Sequence, residues 1–212
     1  MLSNYFDKIF IISINEEKKK ICQHQFDILG EYNYIFMKGI EPSKEYPFLN
    51  VEQCIYLSHL ECLKISNNNN YKKVIICEDD FAIQKTFVDN IEKIKNNIYF
   101  CNLNDIDILF FHNEGKLVKD DFWVSTKGVH GFHFYGVFSI QKVLNCFDNS
   151  FNLEGFIPVD KVTMKTKHNL KCLIPKENYV LQYTGYSSTI KKIRDESKVC
   201  INSYRNTNIL QF

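Results

Sequence analysis

The sequence predicts an α/β fold around a mostly parallel central sheet. Three apolar runs, residues 8–14, 73–77 and 107–112, are rich in Ile, Val and Phe and lack the alternation of a half-exposed strand, as strands covered on both faces do. Helical segments lie between them, so strand and helix alternate. At 212 residues, 45% hydrophobic and 24% charged, the chain suits one globular domain, residues 1–190, with a tail over 191–212.

Each element has its own signal. Residues 8–14 read as a central strand, and Asn15 can cap a helix over 16–29 that carries Glu16 and Glu17 in its first turn and stops at Gly30. A second strand over 32–37, a loop over 42–47, a helix over 51–66 and a surface turn over 67–70 follow. The strand over 73–77 ends in Glu78-Asp79-Asp80 without a linker, and Thr86 can cap a helix to about residue 98. A buried strand over 107–112 leads into a loop through Asp120-Asp121, then a strand over 132–140 and a short helix to about residue 147. Pro158 suits the start of a helix holding residues 160–167, and after Ile190 the chain turns polar, as a loosely held tail would. No internal repeat is present.

Composition excludes several functions. Lys and Arg number 26 against 25 Asp and Glu, a net charge of +1, which is not the basic footprint of a nucleic-acid binder. No apolar run approaches the roughly 18 residues of a membrane span, and no basic segment precedes the first apolar stretch as in a signal peptide. Eight cysteines include no Cys-x-x-Cys pair and several fall in apolar runs, so they read as reduced core residues of a chain in a cytoplasmic, cytosol-like compartment. With 18 Phe, 12 Tyr and only 4 Pro the chain has the apolar content to fold.

The acidic triplet carries the sharpest chemical signal. Asp79 and Asp80 at the carboxyl end of a parallel strand stand where open α/β sheets bind ligands, and clustered carboxylates are relieved by a divalent cation that also holds substrate phosphates. A solvated turn with a helix-capping Asp explains the same residues equally well. Asp160, after Pro158-Val159, is either a plain helix-start acid or one placed to act on a substrate. Glu154 and Asp121 are weaker carboxylate candidates in loops. His130 and His133 could contribute one metal ligand but do not converge and read better as one exposed and one packed; Ser58 and His59 are adjacent on a helix and diverge, and no tetrahedral zinc pattern exists; His59 reads as fixing backbone or a loop.

In series, these segments resemble family 25 glycosyltransferases, the group of lipooligosaccharide-biosynthesis and procollagen galactosyltransferase domains. Phe10-Ile11-Ile12-Ser13-Ile14 is similar to the family's opening strand, Glu52 with Tyr56-Leu57-Ser58-His59 to its Ser-His helix, and Val74 to Asp80 to its strand ending in Leu-Glu-Asp-Asp. Tyr135 to Ile140 resembles its small-residue strand, Pro158-Val159-Asp160 its Pro-Ile/Val-Asp, and Val180-Leu181-Gln182 with Ser187-Ser188-Thr189-Ile190 its closing segment, so the resemblance spans roughly residues 8–190. Cys54-Ile55 stands for the family's Gly-Cys, Ser13 for its Asn, and Glu16-Glu17-Lys18-Lys19-Lys20 for its Arg-rich helix start.

The resemblance implies a GT-A-like, Rossmann-related sandwich that transfers galactose or glucose from a UDP-sugar to a hydroxyl of a glycan or protein, with inversion. It implies a divalent metal, Mn²⁺ ahead of Mg²⁺, with Asp80 as direct ligand, Asp79 assisting through water or ribose contacts, and Glu78 supporting. Ile12, Ser13, Ile14 and Asn15 would line the nucleotide pocket, and Asp160 would take the acceptor's proton. Two other classes remain open: a catalytically degenerate domain that binds a nucleotide sugar, glycan or protein, and another metal-dependent nucleotide enzyme, against which the lack of a Gly-rich phosphate loop counts.

Overall fold

The structure, a computed structural model, describes residues 1–113, 121–126, 131–152, 155–165, 169–182, 185–187 and 192–194. The first half runs β1 (Lys8–Ser13), α1 (Glu16–Leu29), β2 (Tyr34–Lys38), α2 (Val51–Asn68), β3 (Val74–Glu78), β4 (Phe81–Ile83), α3 (Lys85–Asp89) and α4 (Ile91–Leu103). The second runs β5 (Ile108–Phe110), β6 (Phe122–Ser125), β7 (Phe134–Val137), α5 (Ile140–Ser150), α6 (Val162–Lys165), β8 (Cys172–Pro175), β9 (Val180–Gln182), β10 (Gly185–Ser187) and β11 (Lys192–Arg194).

Seven strands form the central sheet in the order β2-β1-β3-β7-β5-β8-β6. β1 lies parallel to β2 and β3, and β5 to β8, while β7 runs antiparallel to β3 and β5, and β6 to β8. Five strands therefore share one direction, as an α/β sheet with covered faces requires. In β1, Ile9 and Ile11 pack on one face with Cys22 and Phe26 of α1 and Ile94 and Ile98 of α4. Phe10 and Ile12 pack on the other, with Tyr56 and Leu60 of α2 and Val143 and Phe147 of α5. The three-layer sandwich thus explains why β1 is apolar on both faces, each buried Ile or Phe contributing about 1.5–3 kcal/mol. Gly136 of β7 is required by packing, since a Cβ there would stand 2.9 Å from the ring of Phe6.

Local signals set the helix ends. The Asn15 side chain accepts from the N–H groups of Glu17 (2.9 Å) and Lys18 (3.1 Å), a cap worth about 1 kcal/mol, and Gly30 ends α1 at φ 63°. Asn50 and Gln53 form a reciprocal capping box on α2. That helix runs two residues further than expected, to Asn68, and the reversal is completed by Asn70 at φ 57°.

The elements differ from the expected ones in several places. The helix expected from Thr86 to about residue 98 is two helices, α3 and α4, separated at Asn90, and Gln84 rather than Thr86 holds the N-cap. The Thr86 hydroxyl instead donates to the carbonyl of Asn178 (3.2 Å). Strand β4, not expected, pairs antiparallel with β9, and buried Gln25 of α1 ties it down by donating to the Phe81 carbonyl (3.1 Å) and accepting from the Ile83 N–H (2.7 Å). Pro158 opens only a 3-10 turn, Val159–Lys161, followed by the four-residue α6. The expected tail contains β11, paired antiparallel with β10, while residues 195–212 lie outside those described. Strands β6 and β8, also unexpected, complete the sheet's far edge.

Seven cysteines fall within the described residues, all free and buried, and Cys200 lies outside them. Among the described residues no helix is long and apolar enough to cross a membrane.

Candidate active site

The parallel register of β1 and β3 sets Ile12 beside Glu78, so Ser13 and the acidic triplet emerge together at the carboxyl edge of the sheet. A cavity of about 490 Å³ opens there. Ile12, Ser13, Ile14, Glu78, Asp79 and Asp80 line it, and so does Asp160, brought in by the turn after Pro158. Of the residues singled out from the sequence, Asn15 does not line the cavity, because its side chain is spent on capping α1. Lys18, Gln182, Glu41, Glu52 and His133 also line it. Asp121 is exposed beside β6, and Glu154 and His130 lie outside the described residues.

Each acid of the triplet has a donor from another element. Asp79 is held twice: the Ser13 hydroxyl donates to Oδ2 (2.6 Å) while accepting from the Asn15 N–H (3.1 Å), and Lys18 Nζ donates to Oδ1 (3.2 Å). The thiol of Cys22 points at the Asp79 carbonyl (3.6 Å). Burial raises the Asp79 carboxyl above its ordinary value, and Ser13 and Lys18 oppose that rise. Asp80 accepts on Oδ2 from Gln182 Nε2 (2.7 Å). Its Oδ1 is buried and has no hydrogen-bond partner among the described residues.

Glu78 is held by a fully buried histidine. His59 of α2 places Nε2 3.2 Å from Glu78 Oε1 and Nδ1 3.0 Å from the hydroxyl of Tyr135 on β7. Burial pushes the imidazole down to about 4, against the upward pull of Asp160 and Asp80, so it is neutral near pH 7. Burial also holds the Tyr135 hydroxyl well above its ordinary range, so it stays protonated and donates to Nδ1. The neutral ring then donates from Nε2–H to the carboxylate, and the contact is a hydrogen bond rather than an ion pair. His59 was expected to fix backbone or a loop; it instead joins two side chains, because β7 runs beside β3 with Tyr135 opposite Ile76. Its neighbour Ser58 donates to the Cys54 carbonyl and accepts from the Ile40 N–H, both at 2.8 Å, so the pair does diverge.

Asp160 is exposed, and its Oδ1 accepts from the Phe132 N–H (3.2 Å). His133 stacks on His112 with ring centroids 4.0 Å apart. Among the described residues no group of three His, Cys, Asp or Glu side chains has the arrangement to hold a metal ion alone. The donor set fits a different kind of cation site, in which one or two carboxylates share the ion with substrate phosphates and water. The partnerless buried oxygen of Asp80 is the feature that fits.

No protein-family model matches the chain, and no curated protein does. Among solved structures, one similar to it is a crystal structure of a glycosyltransferase involved in the glycosylation of the major capsid of PBCV-1, at 12% identity and a TM-score of 0.41. That alignment covers 70% of this chain and 66% of the other, so the chain spans just under two thirds of that protein's length.

Proposed function

We propose that the protein is a glycosyltransferase that moves galactose or glucose from a UDP-sugar to a hydroxyl of a glycan or protein, inverting the anomeric carbon, with a divalent cation, Mn²⁺ ahead of Mg²⁺. The observation that carries this reading is one cavity wall shared by Ser13, Asp79, Asp80 and Asp160, from three chain segments far apart in sequence. Transfer of a sugar from a nucleoside diphosphate needs charge offset on the departing diphosphate and a base for the acceptor's proton. The wall supplies groups suited to both.

Ile12, Ser13 and Ile14 form the side of the cavity on which the nucleotide would rest. Lys18 adds a cation within reach of phosphate, and its present partner Asp79 sits ready for a ribose hydroxyl or a water. Asp80 would hold the cation through Oδ1, and that ion would offset the charge growing on the leaving UDP. Asp160, exposed in the same wall, takes the proton of the acceptor hydroxyl as that oxygen forms its bond to the anomeric carbon. Inversion follows from a single displacement, which needs a base and no carboxylate nucleophile.

The test is release of UDP from UDP-galactose and UDP-glucose with Mn²⁺, with and without a chelator and a panel of glycan and peptide acceptors. Chelator-sensitive release accelerated by an acceptor is the expected result. Binding of a UDP-sugar without release would instead identify a domain that only binds, and neither binding nor release would overturn the reading.

A further inference from the structure

We propose that Glu78, held in place by His59, meets the hydroxyls of the transferred sugar and selects neutral hexoses over uronic acids. The inference rests on the transferase reading above. At the end of β3 successive side chains diverge: Glu78 follows Ile76 toward α2, where His59 meets it, while Asp79 turns to Ser13 and Lys18. Glu78 is fixed twice, its main-chain N–H donating to the His133 carbonyl (3.0 Å) and its Oε1 accepting from His59 Nε2 (3.2 Å). His59 is fixed in turn by the Tyr135 hydroxyl (3.0 Å), and both of those rings are fully buried. The carboxylate they hold is half-buried and lines the cavity.

Its place in the reaction follows from its neighbours. In a single displacement the anomeric carbon lies between the leaving diphosphate, on the side of Asp80, and the acceptor oxygen, on the side of Asp160. The charges of Asp80 and Asp160 both reach His59, so the acid that His59 holds stands beside the path between them. An ionised carboxylate only accepts hydrogen bonds, which suits the hydroxyls of a hexose and repels a sugar that carries a carboxylate of its own. No side chain offsets that repulsion: Lys18 is the one lysine or arginine among the described residues lining the cavity, and it is bonded to Asp79.

The experiment reads apparent affinities for UDP, UDP-glucose, UDP-galactose and UDP-glucuronate, each with Mn²⁺, from thermal midpoints in titration, for wild type, Glu78→Gln, His59→Phe and His59→Gln. Wild type should favour its better hexose over UDP-glucuronate by at least about tenfold. Glu78→Gln, which keeps the shape and removes the charge, should weaken that hexose about fivefold, leave UDP within about twofold, and shrink the discrimination to about threefold or less. His59→Phe should weaken the hexose relative to UDP in the same way, and His59→Gln, which keeps a donor toward Glu78, should retain the wild-type affinity. A His59→Phe variant that loses UDP and UDP-glucose alike, with a lower midpoint without ligand, overturns the positioning role of His59. Equal binding of hexose and uronate by wild type, or a preference unchanged in Glu78→Gln, overturns the role of Glu78 and spares the transferase reading; failure of wild type to bind any UDP-sugar overturns both.

Discussion

The two sets of carboxylates around the cavity are held in opposite ways. Glu78, Asp79 and Asp80 receive hydrogen bonds from His59, Ser13, Lys18 and Gln182, side chains drawn from four different elements. Glu41, Glu52 and Asp160, which line the same cavity, are exposed, and among the described residues Asp160 accepts from one backbone N–H. The difference is that between a site built beforehand and one that is open. Charge carried by a diphosphate and a cation is best met by dipoles already in place, because reorganising them costs free energy during the reaction. An acceptor that arrives from solvent needs access.

The contrast breaks first at Asp80. Asp80→Ala should lower turnover by about 10³-fold or more while the thermal midpoint stays near that of wild type, as kinetics and melting on the same preparation would show. Asp160→Asn should lower turnover by about 10²–10⁴-fold with donor affinity unchanged, a split between kcat and KM for the donor. Should Asp160→Asn weaken the donor instead, the two sets of acids would not divide the work.

The held set also sets the response to acid. His59 has its folded value depressed to about 4, below the unfolded 6.5, so its contribution to stability is whole above 6.5 and is lost as pH falls through 4. That loss amounts to about 3 kcal/mol, and His59→Gln, which keeps a donor toward Glu78, should flatten melting midpoints across the interval. Asp79 acts with the opposite sign. Its folded value is raised, so its contribution is whole below 3.8 and is lost as pH rises through the raised value. Asp79→Asn should therefore melt at pH 7 no lower than wild type, the smallest effect in the series, and a clear drop would mean that the Lys18 and Ser13 contacts outweigh burial.

Much of the prebuilt half was legible because its rules are local. The apolar run over residues 8–14, Asn15 before the helix and Gly30 after it each act within a few residues, and β1 and α1 follow them. Glu78-Asp79-Asp80 was visible as a break from apolar to acidic, and the parallel pairing of β3 with β1 brought Ser13 to it. The partners were not legible. Lys18 reads as one of three consecutive lysines, and only its position in the first turn of α1 aims it at Asp79. Gln182 meets Asp80 across 102 residues through the pairing of two three-residue strands, too short for periodicity to reveal. His59 could not be matched to Tyr135 without knowing that β7 runs antiparallel beside β3. The break between α3 and α4 at Asn90 has no Pro or Gly to mark it.

Calorimetric titration of UDP into wild type and Asp80→Ala, each with and without Mn²⁺, reads out whether Asp80 couples a cation to the nucleotide. Wild type should bind UDP in a manner that depends on Mn²⁺, and that binding should fall by at least about tenfold in Asp80→Ala. Equal binding of UDP by both proteins, indifferent to Mn²⁺, would contradict that coupling.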